Sequence, residues 1–394
     1  MASARRRTDL IGQYHTVFGA ALHGPKFIVR APGRVNLIGE HTDYNHGWVL
    51  PMAIDRNIAI ACSPNNSTEV RLFSVDYNQP GAFNLKDVRK NEKQSWINYP
   101  QGVAFVMQQA GYELNGFNGV VAGDVPIGSG LSSSAAFEVA SALAFSAVSG
   151  IKIDPVEMAR LCQKAENEFV GMKCGIMDQY VSIFAQEDCA LLIDCLTLEH
   201  KAVALPHERA SVLVCDTGVK HELVATEYNA RRAECEKAVA LIASKETGVK
   251  TFRDITLKHL EKYAAILGDT LLRRARHVVT ENQRVMDSVA ALGRGDIEHF
   301  GKLINASHES LRDDFEVSCA ELDTMVELAR KEKGTLGARM VGGGFGGCTV
   351  NLVEPDEVER VRSAVAAGYK RATGKDPATY VFRAAQGARI EEIP

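Results

Sequence analysis

Asp124-Val125-Pro126-Ile127-Gly128-Ser129-Gly130-Leu131-Ser132-Ser133-Ser134 is the stretch that decides the fold. It lies between a strand-like run, Gly119–Gly123, and a helix predicted from Ala135 to about Val148 that is rich in small residues and ends at Gly150. Glycines let backbone approach a ligand closely and turn its N–H groups inward. The serines fall where a helix leaves its first N–H groups unpaired, so hydroxyls and the positive helix end converge on an anion. A helix cap needs one serine; three behind two glycines exceed that need. The chain contains no GxxxxGKS/T loop and no HRD triplet, which excludes Walker-type and protein-kinase phosphate sites.

Upstream, Arg30-Ala31-Pro32-Gly33-Arg34-Val35-Asn36-Leu37-Ile38-Gly39-Glu40-His41-Thr42-Asp43-Tyr44-Asn45 follows the apolar run Phe27-Ile28-Val29. A fold has no use for a cation, two carboxylates, an imidazole and a phenol packed so densely around two glycines. A sugar does, because its hydroxyls require donors and acceptors at fixed positions.

Downstream, Asp154-Pro155-Val156-Glu157 sets an N-cap, a first-turn proline and an acidic third residue in order, followed by Met158, Leu161, Cys162, Ala165 and Phe169 at helical spacing. Glu166 flanks that buried face. Asp178 sits in the apolar stretch Gly175-Ile176-Met177-Asp178-Gln179-Tyr180, an unfavourable place for an unpaired charge. Alone it reads as a helix-terminal or salt-bridged aspartate; beside Arg34 and the serine loop it reads as catalytic. Phosphoryl transfer requires a cation on the nucleotide phosphates, and Mg²⁺ takes a few hard oxygens from protein, which points to Ser134 and Glu166. The acceptor hydroxyl needs a proton acceptor, and a guanidinium beside it holds that carboxylate ionised.

Val341-Gly342-Gly343-Gly344-Phe345-Gly346-Gly347-Cys348 contains a literal GxGxxG, but the strand-like Thr349–Val353 follows it where a dinucleotide fold needs a helix. It reads as a glycine turn that admits close approach of another element.

Three blocks carry a resemblance to a known family. Pro126–Ala135 resembles the phosphate loop of the GHMP small-molecule kinases, Gly33–Asn45 resembles the galactokinase signature, and Gly342–Cys348 resembles the glycine loop near the end of such chains. The resemblance runs from about Phe27 to the C-terminus. It implies an α+β fold of two domains, the first like ribosomal protein S5 domain 2 and the second ferredoxin-like, with the active site in the cleft between them. It implies Asp178 as proton acceptor for the C1 hydroxyl of galactose and Arg34 as its partner and transition-state stabiliser. Glu40, His41, Asp43 and Tyr228 would contact the sugar. Gly128, Gly130, Ser132, Ser133 and Ser134 would hold ATP, and Ser134 with Glu166 would hold Mg²⁺. Trp96 resembles an adenine-pocket aromatic, or is a core tryptophan. Catalytically silent galactose-responsive co-inducers of this fold lack two residues of the serine loop, which is complete here. N-acetylgalactosamine kinases differ where this chain has Thr42-Asp43-Tyr44-Asn45.

The bulk properties agree with a cytoplasmic enzyme. The 394 residues favour two domains, placed at 1–200 and 201–394 with a seam near 195–215. A net charge of −4 gives no field to recruit nucleic acid or an anionic membrane, and Arg5-Arg6-Arg7 reads as a solvated terminus. No run approaches a membrane span or a signal h-region. Nine scattered cysteines without CxxC pairs read as reduced core residues. A monomer or weak homodimer is expected.

Overall fold

The computed structural model describes residues 9–19, 24–219 and 224–393; Arg5–Arg7 lie outside them. The first half is built on six strands in the order β13-β1-β3-β6-β4-β5. These are β1 (Phe27–Asn36), β3 (Pro51–Pro64), β4 (Glu69–Ser74), β5 (Gln79–Asn84), β6 (Phe117–Gly123) and β13 (Arg389–Glu392). Pairing is antiparallel except between β4 and β6.

Both faces of this sheet are covered, so its central strands read as near-continuous apolar runs. Helix α1 (Leu10–Phe18) sets Leu10 and Tyr14 against Ile28, Ala59, Ala61 and Val120. On the other face α3 (Ser133–Ser149) packs Ala136, Val139 and Ala140 among Val29, Ala31, Ile60 and Cys62, beside α2 (Asn98–Gln109). Small residues bring α3 close to the sheet, which explains its alanine content. Its N-terminus is thereby fixed at the end of β6.

The apolar runs Val49–Ile54 and Asn57–Ala61 are largely continuous in one strand. β3 spans both, turning Asp55 to solvent at its middle, while Val49 belongs to β2 (Trp48–Val49). A small sheet β2-β7-β8 adds β7 (Cys189–Asp194) and β8 (His200–Ala204).

In the second half β9 (Ser211–Asp216), β10 (Thr335–Val341), β11 (Cys348–Val353) and β12 (Ala378–Phe382) form an antiparallel sheet in the order β10-β11-β9-β12. In chain order that is 2-3-1-4, the ferredoxin-like arrangement. Helices α9 (Ala320–Lys331) and α10 (Val358–Thr373) bury Met325, Val326, Val361 and Tyr369 against it.

The remaining long helices are α6 (Val224–Ala243), α7 (Leu257–Gly293) and α8 (Ile297–Asp313), with a second core around Cys235, Ile242, Leu260 and Leu311. Gly268 breaks the helical path of α7 at φ 66° and ψ 173° and divides it into two segments. Helix α4 (Pro155–Lys164) is capped as its sequence predicts: Asp154 accepts from Val156 N at 3.0 Å and Glu157 N at 3.1 Å. The N-cap of α9 is Cys319, and the Ser318 hydroxyl before it donates to Asp323 Oδ1 at 2.5 Å. Among the described residues every cysteine is free, and no helix is long and apolar enough to cross a membrane.

Candidate active site

β1 is the element that assembles the site. Its register with β3 slips between Pro32 and Arg34, at Gly33. A Cβ on Gly33 would stand 2.7 Å from the Leu131 carbonyl oxygen and 2.8 Å from Val125. Only glycine lets β1 lie flush on the serine loop, where Arg34 N donates to Leu131 O at 3.1 Å. The slip aims Arg34, 6% exposed, under the loop.

There it meets Asp178, second residue of α5 (Met177–Phe184). Arg34 Nε donates to Asp178 Oδ1 at 2.8 Å and Nη2 to Oδ2 at 2.7 Å, a bidentate pair. Its third arm donates to Gly130 O, and the Ser132 hydroxyl donates to Asp178 Oδ2. Burial opposes the charge on Arg34, but Asp178 and then Glu40 outweigh it and the guanidinium pKa is raised. Three stretches far apart in sequence therefore converge on one carboxylate.

The serine loop behaves as an open helix end. α3 begins at Ser133, and Ser132 precedes it in a left-handed conformation with no side chain capping the first turn. Those N–H groups, with Gly128, Gly130 and the three serines, border a cavity of about 440 Å³ that Arg34, Glu166 and Asp178 also line. The Gly342–Gly347 turn forms the opposite wall and joins antiparallel β10 to β11, which rules out the dinucleotide-binding reading.

Glu166 opens a π-helical turn, Ala165–Val170, that continues α4. It accepts from Gln179 Nε2 at 2.7 Å and from the Ser134 hydroxyl. Burial foremost, then the charge of Asp178, pushes its carboxyl upward. Glu138, wholly buried one helical turn after Ser134, shares the same Gln179 amide at 2.9 Å, and burial and Glu166 push it well above the usual range. A cation would relieve this excess of negative charge. One carboxylate with one hydroxyl suits Mg²⁺, which keeps waters and phosphate oxygens as its other ligands. No set of three protein ligands occurs among the described residues.

The signature turn lies next to this crevice. His41 packs against Tyr44, Tyr228 and Phe315 with ring centroids 5.8, 5.4 and 4.8 Å away, and its Nδ1 is 2.9 Å from the Tyr44 hydroxyl. Burial first, then His277, lowers its pKa to about 3, so it is neutral at pH 7. Asp43 presses on the chain at Gly175, where a Cβ would lie 1.9 Å from its Oδ2. Burial, then Asp178, raises its pKa to about 7. Thr42 turns away from any ligand, its hydroxyl within 2.8 Å of Gly39 O and 2.7 Å of Trp48 O. A larger cavity of about 920 Å³ shares Asp43 and Tyr44 but none of the loop serines, Arg34 or Asp178.

Trp96 packs in the first-half core, stacked on Tyr77 and Phe137; Tyr99 and Phe345 are the aromatics that line the crevice. Sequence reasoning missed Arg339, which is wholly buried on β10. It reaches Glu40 Oε2 at 2.8 Å and Leu37 O at 2.8 Å, and also donates to Asn36 O. It missed Glu281, His277, Gln179 and Glu138 as well. Apart from Glu138, which shares the serine helix, none of these belongs to a polar motif that could have exposed it.

The fold and this crevice define a small-molecule kinase of the GHMP class. GHMP kinase N-terminal and C-terminal domains match residues 98–186 and 288–371, and mevalonate kinase shares the fold at a TM-score of 0.62 with 19% identity. The chain belongs to the galactokinase family. The galactokinase galactose-binding signature matches residues 12–64. A galactokinase of Roseiflexus sp. is 46% identical over 363 residues, 92% of each chain, and one of Chloroflexus aurantiacus is 45% identical over 380 residues, 96% of each. The crystal structure of Lactococcus lactis galactokinase complexed with galactose superposes at a TM-score of 0.92 with 34% identity, covering 96% of this chain and 98% of that one.

Proposed function

We propose that the protein transfers the γ-phosphoryl group of ATP to the C1 hydroxyl of α-D-galactose, giving galactose 1-phosphate and ADP, the entry step of the Leloir route. The observation that carries the reading is the bidentate Arg34–Asp178 pair set beneath an uncapped helix end. Asp178 accepts the hydroxyl proton as the oxygen attacks. Arg34 orients Asp178 through the bidentate pair and offsets charge on the transferring group. Gly128, Gly130, Ser132 and Ser133 bind phosphate oxygens, while Glu40, His41, Asp43 and Tyr228 bind the sugar. Ser134 and Glu166 hold Mg²⁺, which when bound neutralises the phosphates. We take residues 1–200 and 201–394 as the two domains and the protein as a cytoplasmic monomer or weak homodimer; its free cysteines support the compartment.

The test is purified protein with Mg·ATP, assayed for ADP release against galactose, glucose, N-acetylgalactosamine and arabinose. Turnover with galactose and little with the others is expected. Preference for N-acetylgalactosamine would reassign the substrate, and no turnover with any sugar would leave a galactose- and ATP-responsive binder.

A further inference from the structure

We infer that Glu281, on α7, is a positioning residue for the sugar site: its buried carboxylate fixes the backbone of the signature turn so that Glu40 and His41 face the ligand. The inference rests on the sugar site proposed above. Glu281 lies between the segments that match family domains, none of which covers residues 187–287.

The turn from Gly39 to Thr42, ahead of the 3-10 turn Asp43–Asn45, has no regular structure to hold it. Gly39 stands at φ +97° and His41 at φ +62°, conformations that cost a side-chain-bearing residue and persist only where the surroundings impose them. The surroundings come from α7. Glu281 Oε1 accepts from Gly39 N at 2.9 Å and from Glu40 N at 3.3 Å. The same oxygen accepts from the Ser307 hydroxyl at 2.6 Å, and Oε2 accepts from Arg284 Nε at 2.6 Å.

One turn earlier on the same helix, His277 Nε2 donates to Glu40 O at 3.1 Å. One residue later, Asn282 Oδ1 accepts from Trp48 N at 3.0 Å. The start of the turn and the chain at Trp48 beyond it are thus gripped by three side chains of α7. Glu281 is the only one of them that reaches two successive amides.

The charge is suited to this work. A carboxylate is an acceptor with room for several donors, and charge-assisted bonds to backbone N–H groups are about twice as strong as neutral ones. The side chain is fully buried, yet Arg284 and His277 outweigh the cost of burial and keep its pKa low, near 2. It is ionised at every working pH. The grip lies behind the turn, so Glu281 acts through Glu40 and His41.

The experiment is Glu281→Gln, read by calorimetric galactose affinity without nucleotide and by separate KM values for galactose and ATP. The expected result is a galactose Kd and KM raised tenfold or more, with the KM for ATP within twofold of the parent. A merely structural role would lower thermal stability and move both KM values together, and that outcome overturns the inference. Parent-like galactose affinity in a folded Glu281→Gln overturns it too. Should that variant not fold, Ser307→Ala decides, since it removes one donor from the same oxygen: a galactose KM raised about threefold supports the inference, and no change overturns it. Absence of galactose affinity in the unaltered protein would instead remove the sugar-site reading, and this inference with it.

Discussion

At the residue scale, the proposed reaction turns on the Arg34–Asp178 pair. Asp178→Asn keeps one acceptor for the guanidinium but removes the charge and the basic oxygen. General-base catalysis contributes about 10²–10⁴-fold, so kcat should fall by that range while galactose still binds. Wild-type turnover would remove Asp178 from the reaction. Arg34→Ala should lower kcat by about 2–4 kcal/mol of charge stabilisation, and an unchanged kcat would reduce Arg34 to packing. Asp43 makes a different prediction. Its pKa is raised from the ordinary 3.8 to about 7, by burial first and then by Asp178. The folded state therefore holds this proton more tightly than the unfolded chain, so the contribution to stability is complete below pH 4 and is lost as pH rises through 7. Asp43→Asn removes that titration. Melting curves should show the variant gaining on the parent between pH 4 and 7, and parallel curves for the two proteins would show that Asp43 carries no raised pKa.

At the element scale, what sequence made legible was whatever local chemistry dictates. The Asp154-Pro155 cap, the small-residue helix behind the serine loop and the buried strands around Ile60 and Val120 all follow from capping and periodicity. The strands that escaped are edges, β10 among them. β5 carries Pro80 in Gln79–Asn84, β8 opens with His200-Lys201, and β13 is Arg-Ile-Glu-Glu; each lies at the margin of its sheet. Polar side chains and proline protect an open edge from further pairing, and for the same reason they hide it from a pattern search. Gly33 was legible as part of a polar motif, but its reason is the contact between β1 and the serine loop. Gly33→Ala must push those elements apart, since its Cβ would lie 2.7 Å from Leu131 O. Overpacking of this kind costs about 1–3 kcal/mol. The melting temperature should drop and the KM for ATP should rise, whereas parent values for both would mean the contact yields freely.

At the scale of the whole molecule, the signature turn belongs to the first half of the chain but is held by the second. Glu281 and His277 come from α7 and Arg339 from β10, about 240 to 300 residues away along the chain. No sequence signal marks them: Arg339 is a lone cation between Ala338 and Met340, and its pairing with Glu40 exists only after both halves have folded. The structure makes Arg339 a wholly buried charge satisfied by Glu40 and by the carbonyls of Asn36 and Leu37. Burial raises the pKa of Glu40, and Arg339 is the largest influence opposing that rise. Removing one partner of a buried pair costs about 3–5 kcal/mol, because the other is left uncompensated, whereas removing both costs less. Urea unfolding of Arg339→Met should therefore show a loss of that size. Adding Glu40→Gln to it should restore part of the loss, although Glu40→Gln alone destabilises the parent. Losses that simply add would show that the two halves are not joined through this pair, and the turn would have to be held by α7 alone.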